Sequence, residues 1–206
     1  MNREKMLTKE QEQILFDLER TKIQPLEAIE ELGPQFCNDL EILKSLMINA
    51  IKLKDDNSVT LALELYWLNN NRQELEYEFN EILKLPNHNR HQRMLKFLQD
   101  ELKYPSSVDS IRFLLNSDFK DYFLKTGSDD IVVVQWLSHA LVGIGTEDAM
   151  NTIVEYSNSN NQEIAKGMKY RLKRIEERRM YKEEKLSENS SRKKSWLQRL
   201  FKGNSM

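Results

Sequence analysis

Apolar side chains recur every three or four residues along most of the chain, and strand-like alternation is almost absent. This spacing is typical of amphipathic helices that bury one face. Glycine (6) and proline (4) are scarce among the 206 residues, so few positions interrupt the helical pattern. We therefore predict an all-α fold.

Capping and turn residues divide this pattern into separate helices. Thr8 and Gln11 form a capping-box pattern before the first helix, and Asn160 is the expected cap of the last one. Residues 117–129 form an irregular insertion with one helical turn around Tyr122. The helix at 130–144 is apolar around most of its circumference, so it should be central. The other predicted helices cover 8–21, 25–33, 36–54, 58–68, 72–83, 88–103, 105–116, 146–156 and 160–181.

A helical hairpin recurs along the second half of the chain. Leu98 aligns with Leu137 at an offset of 39 residues, and the helices that follow align at an offset of 41. Met168 aligns with Leu137 at an offset of 31, the spacing that remains when the insertion at 117–129 is removed. Gly143 and Gly145 permit the close turn inside the hairpin. A hairpin repeated at this period predicts a stacked solenoid.

The segment ALVGIGTEDAMNTIVEYSNSNNQEIAKGMKYRL contains an apolar helix, a glycine turn, a capped helix, a polar turn and a second apolar helix. It resembles HEAT-type α-helical repeats, closely over 88–177 and only in topology over 8–85. The resemblance implies an irregular α-solenoid of about four or five helical pairs over residues 1–181. It implies little about activity, because this repeat supports many roles.

The repeat places a stripe of polar residues at equivalent positions of three helices. In HEAT-like solenoids the second helices of successive pairs line the concave face, which is the usual binding surface. Our hypothesis is that this polar stripe lines a partner-binding groove, and an ordinary solvated face is an equally good interpretation. The polar stripe consists of Lys96, Gln99, Asp100, Lys103, Gln135, Ser138, His139, Lys166, Lys169, Tyr170 and Lys173.

Charge is distributed unevenly along the chain. Residues 171–202 contain twelve basic and five acidic residues, a net charge of +7. Since the whole chain carries −2, the remaining residues carry −9. One cysteine, Cys37, excludes an internal disulfide and favours a reducing compartment. The first residues lack the apolar core of a signal peptide, and no apolar run approaches the ~20 residues needed to span a bilayer. We expect a cytoplasmic protein.

Residues 182–206 are predicted to form a flexible polar linker and a short basic amphipathic tail. A basic helix with an apolar face can lie in a membrane interface, so the tail is a candidate for docking to an anionic membrane or a partner. It resembles the terminal anchors of some bacterial peripheral membrane proteins. Packing onto the tail's own domain, or disorder, is the alternative. The tail residues are Arg192, Lys193, Lys194, Trp196, Leu197, Arg199, Leu200, Phe201 and Lys202.

Few residues suggest catalytic or metal chemistry. His88 and His91 lie one helical turn apart and could form half of a zinc site, but a pair that caps or packs a helix start is the favoured interpretation. Asp129 and Asp130 fit the dipole of a helix start. We find no glycine-rich phosphate loop and no nucleophile motif. The sequence therefore predicts no catalytic residue, no metal and no cofactor.

We predict a non-enzymatic scaffold that binds a protein. The hairpins, the H-x-x-H helix and the IGTEDA turn are similar to small bacterial HEAT-like proteins of toxin-immunity type. That resemblance implies a protein that neutralises a basic toxin by binding it in the groove, with charge complementarity from its acidic body. A HEAT-like nucleic-acid-binding protein or DNA-base-acting enzyme is an alternative, and a membrane-tethered adaptor is another. The charge of −9 outside residues 171–202 argues against nucleic acid.

Overall fold

The computed structural model describes residues 7–86, 88–123 and 129–202, with side chains as far as Leu186. The predicted all-α fold is confirmed, since this part of the chain forms α-helices, one short 3₁₀ helix at Arg72–Leu75 and no strand. The helices are α1 (Lys9–Glu19), α2 (Pro25–Leu32), α3 (Pro34–Cys37), α4 (Leu40–Leu53), α5 (Asp56–Leu68), α6 (Glu76–Leu83), α7 (His91–Asp100), α8 (Ser107–Leu115), α9 (Phe119–Phe123), α10 (Asp130–Ile144), α11 (Glu147–Tyr156) and α12 (Gln162–Lys202).

Several helix starts follow the predicted caps. The backbone N–H of Gln11 donates to Thr8 Oγ1 at 3.2 Å, and Gln11 Oε1 accepts from the Thr8 N–H at 2.9 Å. This reciprocal pair is the predicted capping box. For α12 the prediction is wrong by one residue, since Asn161, not Asn160, accepts from the first free N–H groups, those of residues 163 and 164. The two asparagines are equally good caps by residue type, and the sequence does not separate them.

Two other predicted boundaries differ from the structure. The helix predicted at 36–54 is divided into α3 and α4, because Asp39 accepts a hydrogen bond from the N–H of Ile42 at 3.1 Å and starts a new helix. The helix predicted at 88–103 is shorter and covers only α7. In the insertion, the helical turn predicted around Tyr122 is confirmed as α9.

Neighbouring helices form two rows. In the first row, α5 meets α7 where Trp67 stacks on Phe97 with ring centroids 4.1 Å apart, α7 packs on α10, and α10 packs on α12. In the second row, α6 packs on α8 and α8 on α11. Helix α10 contacts both rows and has a fully buried inner face. Its predicted central position is therefore confirmed.

Two glycines allow the first row to pack closely. A Cβ added at Gly143 would lie 2.4 Å from the Cα of Gln99, which is backbone of α7. A Cβ added at Gly167 would lie 2.5 Å from Cγ1 of Val134 on α10. Of the two glycines predicted in the hairpin turn, only Gly145 adopts the left-handed conformation, with φ of 68°. Gly143 is helical, and its role is the close contact between α10 and α7.

Helix α12 continues through the predicted linker as far as Lys202. Every residue from Glu176 to Leu186 is exposed. Glutamate, lysine and arginine favour helix, and pairs one turn apart support it, such as Arg179 with Glu176 at 2.9 Å. The flexibility of residues 182–206 stays a prediction. Among the described residues, no helix combines the length and the apolar character needed to cross a bilayer.

Candidate functional site

The polar stripe lies on α7, α10 and α12, three neighbouring helices of the first row, except for Lys103, which is exposed and follows the end of α7. On α10, the side chains of Gln135, His139 and Val142 are half-buried. On the flanking helices most members are exposed, among them Asp100 and Tyr170. A half-buried floor between exposed flanks describes a shallow groove. We use the term groove for this surface of α7, α10 and α12.

Ser138 does not line the groove, in contrast to the sequence hypothesis. It is fully buried, its Oγ donates to the carbonyl of Gln135 at 2.9 Å, and it accepts a hydrogen bond from Nε of Arg171 at 3.0 Å. The physical reason is the side on which α12 packs against α10. At this position α10 faces α12, and the contact between Gly167 and Val134 brings the two helices together one turn away.

The lysines predicted on α12 occupy different sides of that helix. Lys169 is exposed and lies about 200° around the helix from Gly167, the contact with α10. It therefore faces away from the groove. Lys166 and Lys173 are exposed and share one face, about 100–120° around the helix from Gly167. Their part in the groove stays a prediction.

An arginine stripe lies closer to α10 than these lysines do. Tyr170, Arg174 and Arg178 follow Gly167 by three, seven and eleven residues and so lie on the side of α12 next to α10. All three are exposed. Arg174 pairs with Glu177 at 2.5 Å, whereas Arg178 has no acidic partner among the described residues.

Arg171 is the functional candidate that the sequence hypothesis missed. It is only 4% exposed, and its one hydrogen bond in the described part of the chain goes to Ser138. A signal was present in the repeat alignment, where the offset of 31 residues places Arg171 on Ala140, a fully buried position. A charged residue at a buried repeat position is uncommon and needs an explanation.

Charged groups on α7 and α12 shift the pKa of His139 on α10. Burial lowers the pKa of Arg171 from its usual value, and the neighbouring charge of Arg178 lowers it further. Burial also lowers the pKa of His139, and Arg171 and Arg178 add to that shift while Asp100 opposes it. His139 therefore interacts with charged groups on both α7 and α12.

A buried ion pair lies at the α7 end of the groove. Glu64 of α5 is fully buried and pairs with Arg93 of α7 at 2.5 Å. The Arg93 guanidinium also lies over the ring of Trp67, 4.9 Å from its centroid. Burial raises the pKa of Glu64, and Arg93 opposes that shift. Beside this pair is an open cleft of about 350 Å³ that includes Lys96 of the polar stripe.

The two predicted zinc candidates form a buried stack. The rings of His88 and His91 lie 4.0 Å apart and almost parallel. The N–H of Arg90 donates to Nδ1 of His88, so the Nε2–H of this neutral ring donates to the carbonyl of Ile82. Burial lowers the pKa of His91 to about 3. These contacts assign the pair a packing role, and no group of three metal-binding side chains occurs in the described residues.

The outer surface of the second row carries mainly acidic side chains. Its outer surface exposes Tyr77, Phe113 and Val154. A cleft of about 470 Å³ lies between α6 and α8. We call this surface the acidic face. Its acidic side chains are Glu76, Glu81, Asp109, Glu147, Asp148 and Glu155, and its basic ones in α6, α8, α11 and their caps are Lys84 and Arg112.

The predicted tail contacts lie outside the described side chains. The backbone that carries them is helical through Lys202. The residues concerned are Arg192, Lys193, Lys194, Trp196, Leu197, Arg199, Leu200, Phe201 and Lys202.

In comparisons with known proteins, no protein-family model, no curated protein and no solved structure matched the chain.

Proposed function

We propose that the chain is a non-enzymatic protein-binding scaffold with an irregular HEAT-like solenoid over residues 1–181, and that its partner binds in the groove. The observation that carries the proposal is the half-buried polar floor of Gln135 and His139 between the flanks of α7 and α12. A surface of this kind offers hydrogen-bonding groups that a partner can desolvate.

Helix packing supports the solenoid part of the proposal. The hairpin of α7 and α8 and the hairpin of α10 and α11 each place one helix in each row. Contacts between α7 and α10, and between α8 and α11, join successive hairpins. Contact with sequence neighbours, repeated along the chain, is how solenoids are built.

The side chains of the flank suit a protein interface. Tyr170 is 51% exposed and adjoins Arg174 and Arg178 on the same side of α12. Tyrosine and arginine are enriched among the residues that contribute most to protein–protein binding, because they combine a large contact area with hydrogen bonds. A partner segment in the groove would cover these side chains together with His139.

Affinity capture with matched charge variants tests this function. The full chain is used to capture partners from a lysate of its source organism, followed by mass spectrometry. We compare Arg178→Glu with Lys169→Glu, which makes the same charge change on the opposite side of α12. We expect Arg178→Glu to lose a partner that Lys169→Glu retains. Identical partner sets for wild type and both variants would remove the groove from the proposal.

In the toxin-immunity form of this function, the acidic face is the surface that would meet a basic protein. Exposed Tyr77 is a suitable apolar anchor there because acidic side chains surround it. The test is the same capture with Tyr77→Ala, together with growth of cells that express the captured protein. We expect a toxin to be retained by Arg178→Glu and lost by Tyr77→Ala. A captured protein that does not slow growth argues against the immunity role.

The tail supports a second proposal, docking to an anionic membrane. A helical backbone through Lys202 is the conformation that an amphipathic anchor requires. Co-sedimentation with vesicles of phosphatidylcholine and phosphatidylserine compares the full chain with a chain ending at Ser190. We expect only the full chain to sediment, and 0.5 M salt should release it because basic residues contribute to the binding. Equal sedimentation of both chains excludes the anchor.

A further inference from the structure

A buried cation without a counter-ion lies at the floor of the groove. Arg171 is 4% exposed, and among the described residues no carboxylate lies within ion-pair distance of it. Its contact with Ser138 uses only the Nε–H. The two terminal nitrogens of the guanidinium, with four N–H groups, have no protein acceptor in the described part of the chain. Neither is among the buried side-chain atoms without a partner there, so both reach solvent.

Neighbouring charges make this arrangement more costly. A buried charge is destabilising unless a partner of opposite charge compensates it. The nearby Arg178 and Arg174 are of the same sign and lower the pKa of Arg171 after burial itself. Ser138 is neutral, so its hydrogen bond offsets only part of the cost of burying the charge of Arg171. The terminal N–H groups of Arg171 can therefore exchange solvent for the oxygens of an anionic ligand, which would supply the missing counter-charge.

We propose that Arg171 and Arg178 form a carboxylate-binding site at the floor of the groove, which takes an aspartate, a glutamate or a C-terminal carboxylate from an acidic segment of a protein partner. The planar guanidinium of Arg171 matches a carboxylate in two parallel hydrogen bonds. Arg178 adds a second positive charge two helical turns further along α12. His139 and Tyr170 flank the site and contact the rest of the segment. This site deepens the protein-binding function proposed above and rests on it.

The charges around the site favour a single carboxylate over the phosphates of a nucleic acid. Two basic side chains of the flanks are already paired, Lys96 with Asp100 at 3.1 Å and Arg174 with Glu177 at 2.5 Å. A nucleic acid needs a continuous series of free cations to release its counterions. The net charge of −9 outside residues 171–202 would repel such a polyanion at longer range. A short acidic segment needs only one or two cations, which Arg171 and Arg178 supply.

Binding is measured on the full chain with ¹⁵N-labelled arginine, by the NMR shifts of the arginine Nε–H signals. The probe is an acetylated and amidated pentapeptide of alternating aspartate and glutamate, and the control peptide has asparagine and glutamine instead. We expect the acidic peptide to shift the Arg171 signal saturably and the amide peptide to leave it unchanged. Inorganic phosphate and a ten-nucleotide oligothymidylate are titrated in parallel.

Matched variants assign the effect to the site. We expect Arg171→Lys to raise the Kd of the acidic peptide roughly tenfold, since a bidentate charged contact is lost. Arg178→Gln should raise it several-fold, and Lys169→Gln, with the same loss of charge on the far side of α12, should not change it. An unshifted Arg171 signal, or an equal effect of Lys169→Gln, overturns the proposal. Tighter binding of phosphate or oligothymidylate than of the acidic peptide also overturns it and assigns the site to a phosphate ligand.

Thermal unfolding separates a binding role from a structural one. We expect Arg171→Met to abolish binding of the acidic peptide and to leave Tm unchanged or higher, because it removes an unpaired buried charge. A lower Tm with unchanged peptide affinity would show that Arg171 is only structural. If Arg171→Met does not fold, the Kd of Arg171→Lys decides. The capture experiment tests the proposed function separately. If the acidic peptide binds but Arg178→Glu retains every partner, the carboxylate-binding site is supported and the protein-binding function of the groove is rejected.

Discussion

Arg171 of α12 donates an Nε hydrogen bond of 3.0 Å to Oγ of Ser138 on α10, and both side chains are buried. This contact joins the last two helices of the first row beneath the surface of the groove. It is a hydrogen bond between a charged donor and a neutral acceptor, so it only partly offsets the burial of the guanidinium.

Removal of Ser138 alone should destabilise the protein more than removal of Ser138 and Arg171 together. Ser138→Ala leaves the Arg171 Nε–H buried without an acceptor, which costs about 1–3 kcal/mol of unfolding free energy. The double variant Ser138→Ala with Arg171→Met removes both partners and should regain most of this loss. Urea unfolding of the two single variants and the double variant measures the coupling. Additive losses would show that the hydrogen bond does not contribute.

The two packing glycines predict different costs for an added methyl group. Gly143→Ala places Cβ 2.4 Å from the backbone of Gln99, which cannot move without shifting α7. We expect a loss of about 3 kcal/mol. In Gly167→Ala the obstacles are side-chain atoms, Cγ1 of Val134 at 2.5 Å and its Cβ at 3.1 Å, which yield more easily than backbone, so the loss should be smaller, about 1–2 kcal/mol. Urea midpoints test the order, and a smaller loss for Gly143→Ala contradicts the close approach of α7 and α10.

The buried His91 predicts acid sensitivity. Its pKa in the folded state is about 3, against 6.5 as the usual value, so the unfolded chain binds more protons between these two pH values. Stability therefore falls as pH decreases below 6.5, by about 1.4 kcal/mol per pH unit from this residue. Comparison of wild type with His91→Phe at pH 7.5 and pH 5.0 isolates the effect. A pH dependence of equal size in both proteins would contradict it.

The ion pair of Glu64 and Arg93 predicts that its two partners are not equivalent. Arg93→Ala leaves a fully buried carboxylate without a counter-ion and should cost about 3 kcal/mol at pH 8. Glu64→Gln leaves an arginine that is 42% exposed and still lies over Trp67, so we expect about 1 kcal/mol.

Acidification should reduce the loss of stability caused by Arg93→Ala. Burial already raises the pKa of Glu64 in the folded protein, and loss of Arg93 raises it further. The folded state then binds more protons than the unfolded chain, so its stability rises as pH falls through the folded pKa. We expect the loss in Arg93→Ala to be smaller at pH 5 than at pH 8. A loss independent of pH would indicate that Arg93 acts through its packing on Trp67 alone.

The sequence by itself determined the helical class, most helix starts and the central position of α10. Apolar periodicity specifies which face of a helix is buried, and caps such as Thr8 and Thr146 satisfy N–H groups within the same segment. The repeat alignment also placed α7, α10 and α12 as equivalent helices, and these helices are neighbours in the first row. Helix formation and capping depend on residues close together in the chain, and the relation among α7, α10 and α12 depends on the repetition of the same local pattern.

Only the tertiary structure decided which side of each helix faces its neighbour. One residue of shift turns a side chain by about 100°, so Ser138 lies under α12 while His139, the next residue, lies in the groove. The same geometry turns Lys169 away and brings Arg171 inward, against their polar character. The approach of α12 at Gly167 and of α7 at Gly143 sets these orientations. Interhelical distance and rotation depend on contacts between residues far apart in sequence, and a periodic pattern does not contain them.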